Sequence, residues 1–335
     1  MQAAIQSSSP SHETIFIATR GSALALAQAN AVLAQCRLAF PASRFELKII
    51  KTTGDKLQTA SLAQGGASLP KGLFTKELET ALLNREADLA VHSLKDLPTD
   101  LPAGLKLGAV CRRADVREVL IYRDANGPLA EKDKRGFDPK LPIQGLPHGA
   151  VVGTSSTRRK SQLLALRPDL KIVEWRGNVA TRLQRLADRK DVDATILAAA
   201  GLERLKFCIS HDGRLTGASV PDGLLTTFLE TKVMLPCVGQ GAVGIEIREQ
   251  DERLAAICAR LNHCETEQCV IAERAFLKGM GGGCQSPVAA YAEILGLQIR
   301  MRAASYKNET VRCGSSERPL AEAAALGKHL ATVLA

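Results

Sequence analysis

A short apolar run that breaks off into Ser, Thr, Gly and Arg before a helix recurs along this chain. Thr14–Ala18 leads into Thr19-Arg20-Gly21-Ser22 and a helix with Leu24, Leu26, Ala29, Val32 and Leu33 at helical spacing. Phe45–Lys51 ends in Thr52-Thr53-Gly54-Asp55, and Leu89–His92 ends in Ser93-Leu94-Lys95-Asp96-Leu97-Pro98. Ala150–Gly153 runs into Thr154-Ser155-Ser156-Thr157-Arg158-Arg159, and Lys171–Trp175 into Arg176-Gly177-Asn178, with Arg182 beyond. Strands that alternate with helices imply α/β domains with mainly parallel sheets. In open sheets of that kind ligands bind outside the carboxyl ends of the strands, where these polar clusters fall.

The clusters favour anions. Thr and Ser at a helix start act as N-caps and leave backbone N–H groups pointing outward, where the helix dipole attracts negative charge. Arg158 and Arg159 add bidentate recognition of carboxylate or phosphate; plain capping with solvated arginines is the alternative. If the strand ends converge, Arg20, Arg158, Arg159, Arg176 and Arg182 line one cleft that holds a single acid, Asp96. One carboxylate among arginines is poorly suited to a metal and well suited to a cationic intermediate, although a lone aspartate there also reads as a turn or cap.

The formal net charge of +9 points the same way, toward an anionic partner. An aromatic content of 4% argues against stacked single-stranded nucleic acid. The nine cysteines, an odd number scattered over 335 residues, fit a reducing compartment and not a disulfide framework. His263, Cys264 and Cys269 lack a second ligand pair, so no metal is expected. Residues 1–13 are polar without a basic head or apolar run, reading as a disordered tail and not a secretory signal. No apolar stretch approaches the ~20 residues of a membrane span, and a cytoplasmic location follows.

Toward the end of the chain stands Gly281-Gly282-Gly283-Cys284-Gln285-Ser286-Pro287. Glycines in a row let a backbone approach a ligand closely. Cys284 is open to reading as a nucleophile, a metal ligand, a covalent attachment point or a small packed hydrophobe. Residues 57–72 read as a lid or a plain loop, 124–148 as a surface excursion, and 206–232 as irregular. Val243–Arg248 reads as a strand, Glu252–Leu261 and Glu265–Lys278 as helices, and 288–335 as two strands, a polar hairpin and a final helix.

ATRGSALALAQ, KGLFTKELE, LAVHSLKDLPTDLP, VVGTSSTRRKSQL, WRGNVATRL, LAAAGLERL, VGQGAVGIE and GGGCQSP, in this order, together closely resemble the porphobilinogen deaminase (hydroxymethylbilane synthase) family. The resemblance runs from about residue 14 to 292. It implies two α/β domains like the halves of a periplasmic binding protein, residues 14–111 with 242–260 and residues 116–236, and a smaller C-terminal α/β domain, 264–335. It implies the head-to-tail condensation of four porphobilinogen molecules to hydroxymethylbilane, with loss of ammonia, in tetrapyrrole biosynthesis. The cofactor implied is a dipyrromethane joined by a thioether to Cys284, and the catalytic acid is Asp96. Ser93, Lys95, Thr154, Ser155, Ser156, Arg158, Arg159, Arg176 and Gly177 match cofactor-binding positions; Arg20, Arg182, Gln28 and Lys71 match substrate-binding ones. No nucleic acid or membrane partner is implied, and the chain is expected to be a monomer. Cys237 stands where alanine is usual. A non-catalytic two-lobed anion sensor is the alternative, which leaves Cys284 without a purpose.

Overall fold

The computed structural model describes residues 14–55, 73–129, 134–283 and 286–335. The chain begins β1 (Ile15–Arg20), α1 (Ala23–Ala39), β2 (Phe45–Ile50), α2 (Lys76–Leu83), β3 (Leu89–Ser93), β4 (Leu105–Val110) and β5 (Glu118–Arg123). It continues with β6 (Val151–Gly153), α3 (Thr157–Leu166), β7 (Lys171–Val173), α4 (Val179–Asp188), β8 (Ala194–Ala198) and α5 (Ala199–Arg204). Then come β9 (Cys208–Ile209), β10 (Leu215–Thr216), β11 (Leu224–Leu229), β12 (Val243–Arg248), α6 (Glu252–Leu261) and α7 (Cys264–Gly279). The last elements are β13 (Val288–Leu295), β14 (Gln298–Ser305), β15 (Arg312–Pro319) and α8 (Ala323–Leu334).

Two five-stranded sheets, in the orders β2-β1-β3-β12-β4 and β11-β5-β8-β6-β7, carry most of the fold. In each, four strands run one way, as element alternation leads one to expect, and one strand is inserted against them. β12 lies antiparallel between β3 and β4, and β5 lies antiparallel between β8 and β11. The reason is the route of the chain. It leaves the first sheet after β4, enters the second at β5, leaves that after β11 and re-enters the first at β12. The two crossing segments lie side by side, with Ala114 donating its N–H to the Gly241 carbonyl at 3.0 Å and the Gln240 amide donating to the Val116 carbonyl at 2.7 Å. This double crossing is the organisation of a two-lobed periplasmic-binding-protein type of fold.

Among the strands that the sequence reading did not pick out are β5, β11 and β15. β5 (EVLIYR) begins and ends on charges, yet Glu118 and Arg123 are both fully buried. Arg123 is satisfied by carbonyls, donating to Leu186 at 2.6 Å, Val192 at 2.7 Å and Arg135 at 3.0 Å. β11 lies inside the stretch that reads as irregular, and β15 alternates between exposed and half-buried residues, as an edge strand does. The stretch 124–148, read as a surface excursion, puts Phe137, Ile143 and Leu146 into the core of the second sheet.

The third unit is an antiparallel sheet, β13-β14-β15, covered by α7 and α8. It is fastened to the crossings through Glu273 on α7, which is fully buried. Its carboxylate accepts two bonds from Arg113, at 2.7 and 3.0 Å, and one each from the N–H groups of Gly239 (2.8 Å) and Ala292 (2.9 Å). Every acceptor lone pair is thus engaged, the condition under which a buried charge is tolerated.

Candidate functional site

The site lies where the strand ends of the two large sheets meet. β3 finishes at Ser93 and turns at once into a single 3-10 turn, Leu94–Asp96, because Pro98 blocks a longer helix. Leu94 is buried under that turn, which sets Lys95 and Asp96 at the sheet edge. The Gln28 amide of α1 holds Ser93 from beneath: its Nε2 and Oε1 lie 2.8 and 3.0 Å from Ser93 Oγ. Asp96 makes no side-chain hydrogen bond among the described residues.

Across from it, β6 ends at Gly153, packed so closely on Trp175 that a Cβ would stand 2.5 Å from the ring. Only glycine fits there. The hydroxyls that follow are used locally. Thr154 Oγ1 accepts from the Ser156 N–H at 3.2 Å, Ser155 Oγ from the Trp175 N–H at 2.7 Å, and Ser156 Oγ caps α3 at the Arg159 N–H. Gly177 has φ +113°, a conformation that L side chains rarely adopt, and its carbonyl receives Arg182 Nε at 2.8 Å.

Arg158 and Arg159 are buried and converge on one carboxylate, that of Glu118. Arg158 Nη2 meets Oε1, Arg159 Nε meets Oε1 at 3.1 Å, and Arg159 Nη2 meets Oε2 at 2.7 Å. Burial alone would raise the Glu118 pKa, but the charges of Arg159 and Arg158 outweigh it and hold the carboxyl well below the usual range. Lys95 is pushed below the ordinary amine value, first by burial and then by Arg159, while Asp96 and Glu118 act against the shift. Arg182 is lowered to about 10 by burial and by Arg159, again opposed by Asp96. Lys95, Asp96, Arg159, Glu118 and Arg182, drawn from both sheets, thus lie close enough to influence one another's charge.

Arg20 is also at its strand end, ion-paired with Asp55 at 2.5 Å and stacked 4.1 Å from the Phe74 ring centroid. Arg176 instead turns to Glu174 at 2.7 Å, both half-exposed or more, and does not join the buried group. Lys71 and Cys284 lie outside the described residues. Sequence reading missed Glu118 and Asp55. Glu118 heads an apolar run and carries no local mark of its role; Asp55 closes a polar cluster that did mark its strand end.

No group of His, Cys, Asp and Glu able to hold a metal occurs among the described residues. His263 serves as the N-cap of α7, its Nδ1 lying 2.9 Å from Thr266 Oγ1. No described helix is long and apolar enough to cross a membrane.

The double-crossed lobes make this a two-lobed α/β protein whose facing strand ends group Lys95, Arg159 and Arg182 around Asp96. Comparison with known proteins makes this specific. The family model "Porphobilinogen deaminase, dipyromethane cofactor binding domain" matches residues 15–256, and "Porphobilinogen deaminase, C-terminal domain" matches 267–335. The chain is 40% identical over 320 residues to the porphobilinogen deaminase of Syntrophomonas wolfei, covering 95% of this chain and 94% of that one. It is 46% identical over 280 residues to that of a Geobacillus species, covering 84% and 80%. It is 43% identical over 291 residues to the chloroplastic enzyme of Euglena gracilis, covering 87% of this chain and 55% of that one. Among solved structures, the BenM effector-binding domain with benzoate aligns over 74% of this chain and 90% of its own, at 16% identity and a TM-score of 0.40. The chain belongs to the porphobilinogen deaminase family.

Proposed function

We propose that the cleft joins four porphobilinogen molecules head to tail, consuming one water and releasing four ammonia to give hydroxymethylbilane. The chain is then a transferase of tetrapyrrole biosynthesis. Family membership and the grouping of Lys95, Asp96, Arg159 and Arg182 support this, and the single observation that carries it is Asp96 itself. It is an acid at a strand end with cations around it and no side-chain hydrogen bond of its own among the described residues.

The dipyrromethane of the family is acidic through its acetate and propionate arms. A cradle of lysine and arginine suits it, and Arg158 Nε is buried without a hydrogen-bond partner among the described residues. When bound through Cys284, this group supplies the pyrrole end at which growth starts. Ser93, Lys95, Thr154, Ser155, Ser156, Arg158, Arg159, Arg176 and Gly177 would hold it. Arg20, Arg182, Gln28 and Lys71 would hold the incoming unit, whose two carboxylates need the same kind of partner.

Asp96 is assigned two proton-linked tasks. Its carboxylate faces the aminomethyl ammonium of porphobilinogen; as the C–N electron pair leaves with ammonia, the carboxylate stabilises the cation left on the substrate. After the new C–C bond forms, the same oxygen accepts the α-proton. An opposite charge at ~4 Å is worth about 1 kcal/mol in water and about 4 at an effective dielectric near 20, so enclosure decides how much the acid contributes.

We divide the chain into 14–111 with 242–260, 116–236 and 264–335, a reading supported by the grouping of its strands into two five-stranded sheets and one three-stranded sheet. We place the reaction in the cytoplasm with the chain as a monomer and no nucleic-acid partner; the described cysteines are all free thiols, as a reducing compartment requires. The test is intact mass together with ammonia release. The protein expressed with porphobilinogen available should carry an adduct of two pyrrole units that Cys284→Ser lacks. Retention of the adduct in Cys284→Ser, or reversible ligand binding without ammonia release, would favour the sensor reading.

A further inference from the structure

Arg158 and Arg159 are consecutive on a helix, and consecutive helical side chains do not face each other. Yet both guanidiniums arrive at one point, the carboxylate of Glu118, which is fully buried. A carboxylate in such a place is weak evidence for stability, since apolar residues of similar volume commonly serve the fold as well. Its position has a topological cause. β5 runs antiparallel to β8, so its first residue, Glu118, pairs with Ala198, the last residue of β8. A parallel β5 would have put its first residue at the opposite end of the sheet, away from the ligand-binding edge.

The remaining bonds show what the carboxylate does. Arg158 Nη1 donates to the Leu235 carbonyl at 2.7 Å, and Arg159 Nη1 donates to the Ile196 carbonyl at 2.9 Å. Each guanidinium is therefore held from two sides, by Glu118 and by a backbone carbonyl of another segment, and cannot rotate. Glu118 also offsets one of the three positive charges of Lys95, Arg158 and Arg159. We infer that Glu118 is a positioning residue: it fixes the paired arginines, and tunes the charge they present, for the acetate and propionate arms of a pyrrole unit. This rests on the function proposed above. The arms could belong to the primer or to the incoming substrate, and the experiment separates the two.

Glu118→Gln and Glu118→Asp are to be prepared beside the unaltered protein, and each examined by thermal melting, intact mass and steady-state kinetics with porphobilinogen. Contacts to substrate arms act equally in ground and transition states, so their loss raises KM and leaves kcat nearly alone. Glu118→Gln should raise KM about tenfold, the size of one charge-assisted contact. Glu118→Asp keeps the charge on a shorter arm and should fall between. A KM rise with full adduct places the effect on the incoming unit; a fall in the adduct-bearing fraction places it on the primer. If Vmax drops only with the folded fraction while KM and adduct stay unaltered, the proposal is overturned. If Glu118→Gln does not fold, Glu118→Asp decides by the same measures. If neither folds, Glu118 serves the fold alone and the proposal is likewise overturned. If the unaltered protein itself releases no ammonia from porphobilinogen, it is the functional reading that fails.

Discussion

The two large lobes hold their strand-end cations in opposite ways. In the first, Arg20 pairs with Asp55 in a partly open setting, with side chains 17% and 27% exposed, while Asp96 stands without a side-chain hydrogen bond among the described residues. In the second, Arg158, Arg159 and Glu118 form a closed group with side chains 5%, 7% and 0% exposed, completed by the carbonyls of Leu235 and Ile196 from two other segments. The first lobe presents groups that can exchange partners during turnover. The second presents charges already in place. The function proposed above assigns these two settings different tasks: an acid that acts on each unit, and an anion cradle that does not have to be rebuilt.

The largest effect should come from the free acid. Asp96→Asn is expected to fold and melt like the unaltered protein while ammonia release slows by about 10²–10⁴-fold, the usual range for a lost proton-transfer group. Near-normal turnover would remove Asp96 from its role and dissolve the contrast. Next comes a pair of truncations read by denaturant unfolding. Arg159→Ala should cost about 3 kcal/mol, the low end for breaking a buried pair, because Arg158 still faces Glu118. Arg20→Ala should cost under about 1 kcal/mol, as more open pairs do. Equal losses would show that the lobes are alike.

Acid should expose the same asymmetry. The Glu118 carboxyl is depressed in the folded protein, so it contributes stability above its unfolded value of about 4.3, and that contribution is lost as pH falls toward the lower folded value. Unfolding free energies measured downward from pH 6 should therefore fall more steeply below about pH 4.3 in the unaltered protein than in Glu118→Gln; parallel curves would contradict the closed ion group. The smallest effect concerns Asp55, which competes with substrate carboxylates for Arg20. Asp55→Asn should lower KM for porphobilinogen about two- to threefold, within the worth of a partly exposed pair. A raised KM would mean that Asp55 orients Arg20 and does not compete for it.

Features set by neighbours along the chain were legible in the sequence. The helix start within Thr154–Thr157 follows from cap chemistry, and Ser156 accepts the Arg159 N–H three residues on; the equivalent cap at Asn178, which accepts from Thr181, was not read. Val243–Arg248 and Glu252–Leu261 were read with the bounds they have. Features that depend on distant partners were not. β5 was missed because its charged ends find their partners beyond any local pattern: Glu118 in the α3 arginines 40 and 41 positions on, Arg123 in the carbonyls of Arg135, Leu186 and Val192. A carboxylate is written the same way whether it meets water or two guanidiniums.

The motifs alone determined the alternation of strands and helices, the polar, arginine-bearing strand ends and the family to which they belong. Each of these depends on residues adjacent or one helical turn apart. The tertiary structure decided the antiparallel insertion of β5 and β12 and the clasp of Glu273 on the crossings. It alone put Glu118 at the cleft edge, where two arginines that a helix would point apart are drawn to one buried charge. Pairing across the fold costs chain entropy that only the packed lobes repay, so no local pattern records it.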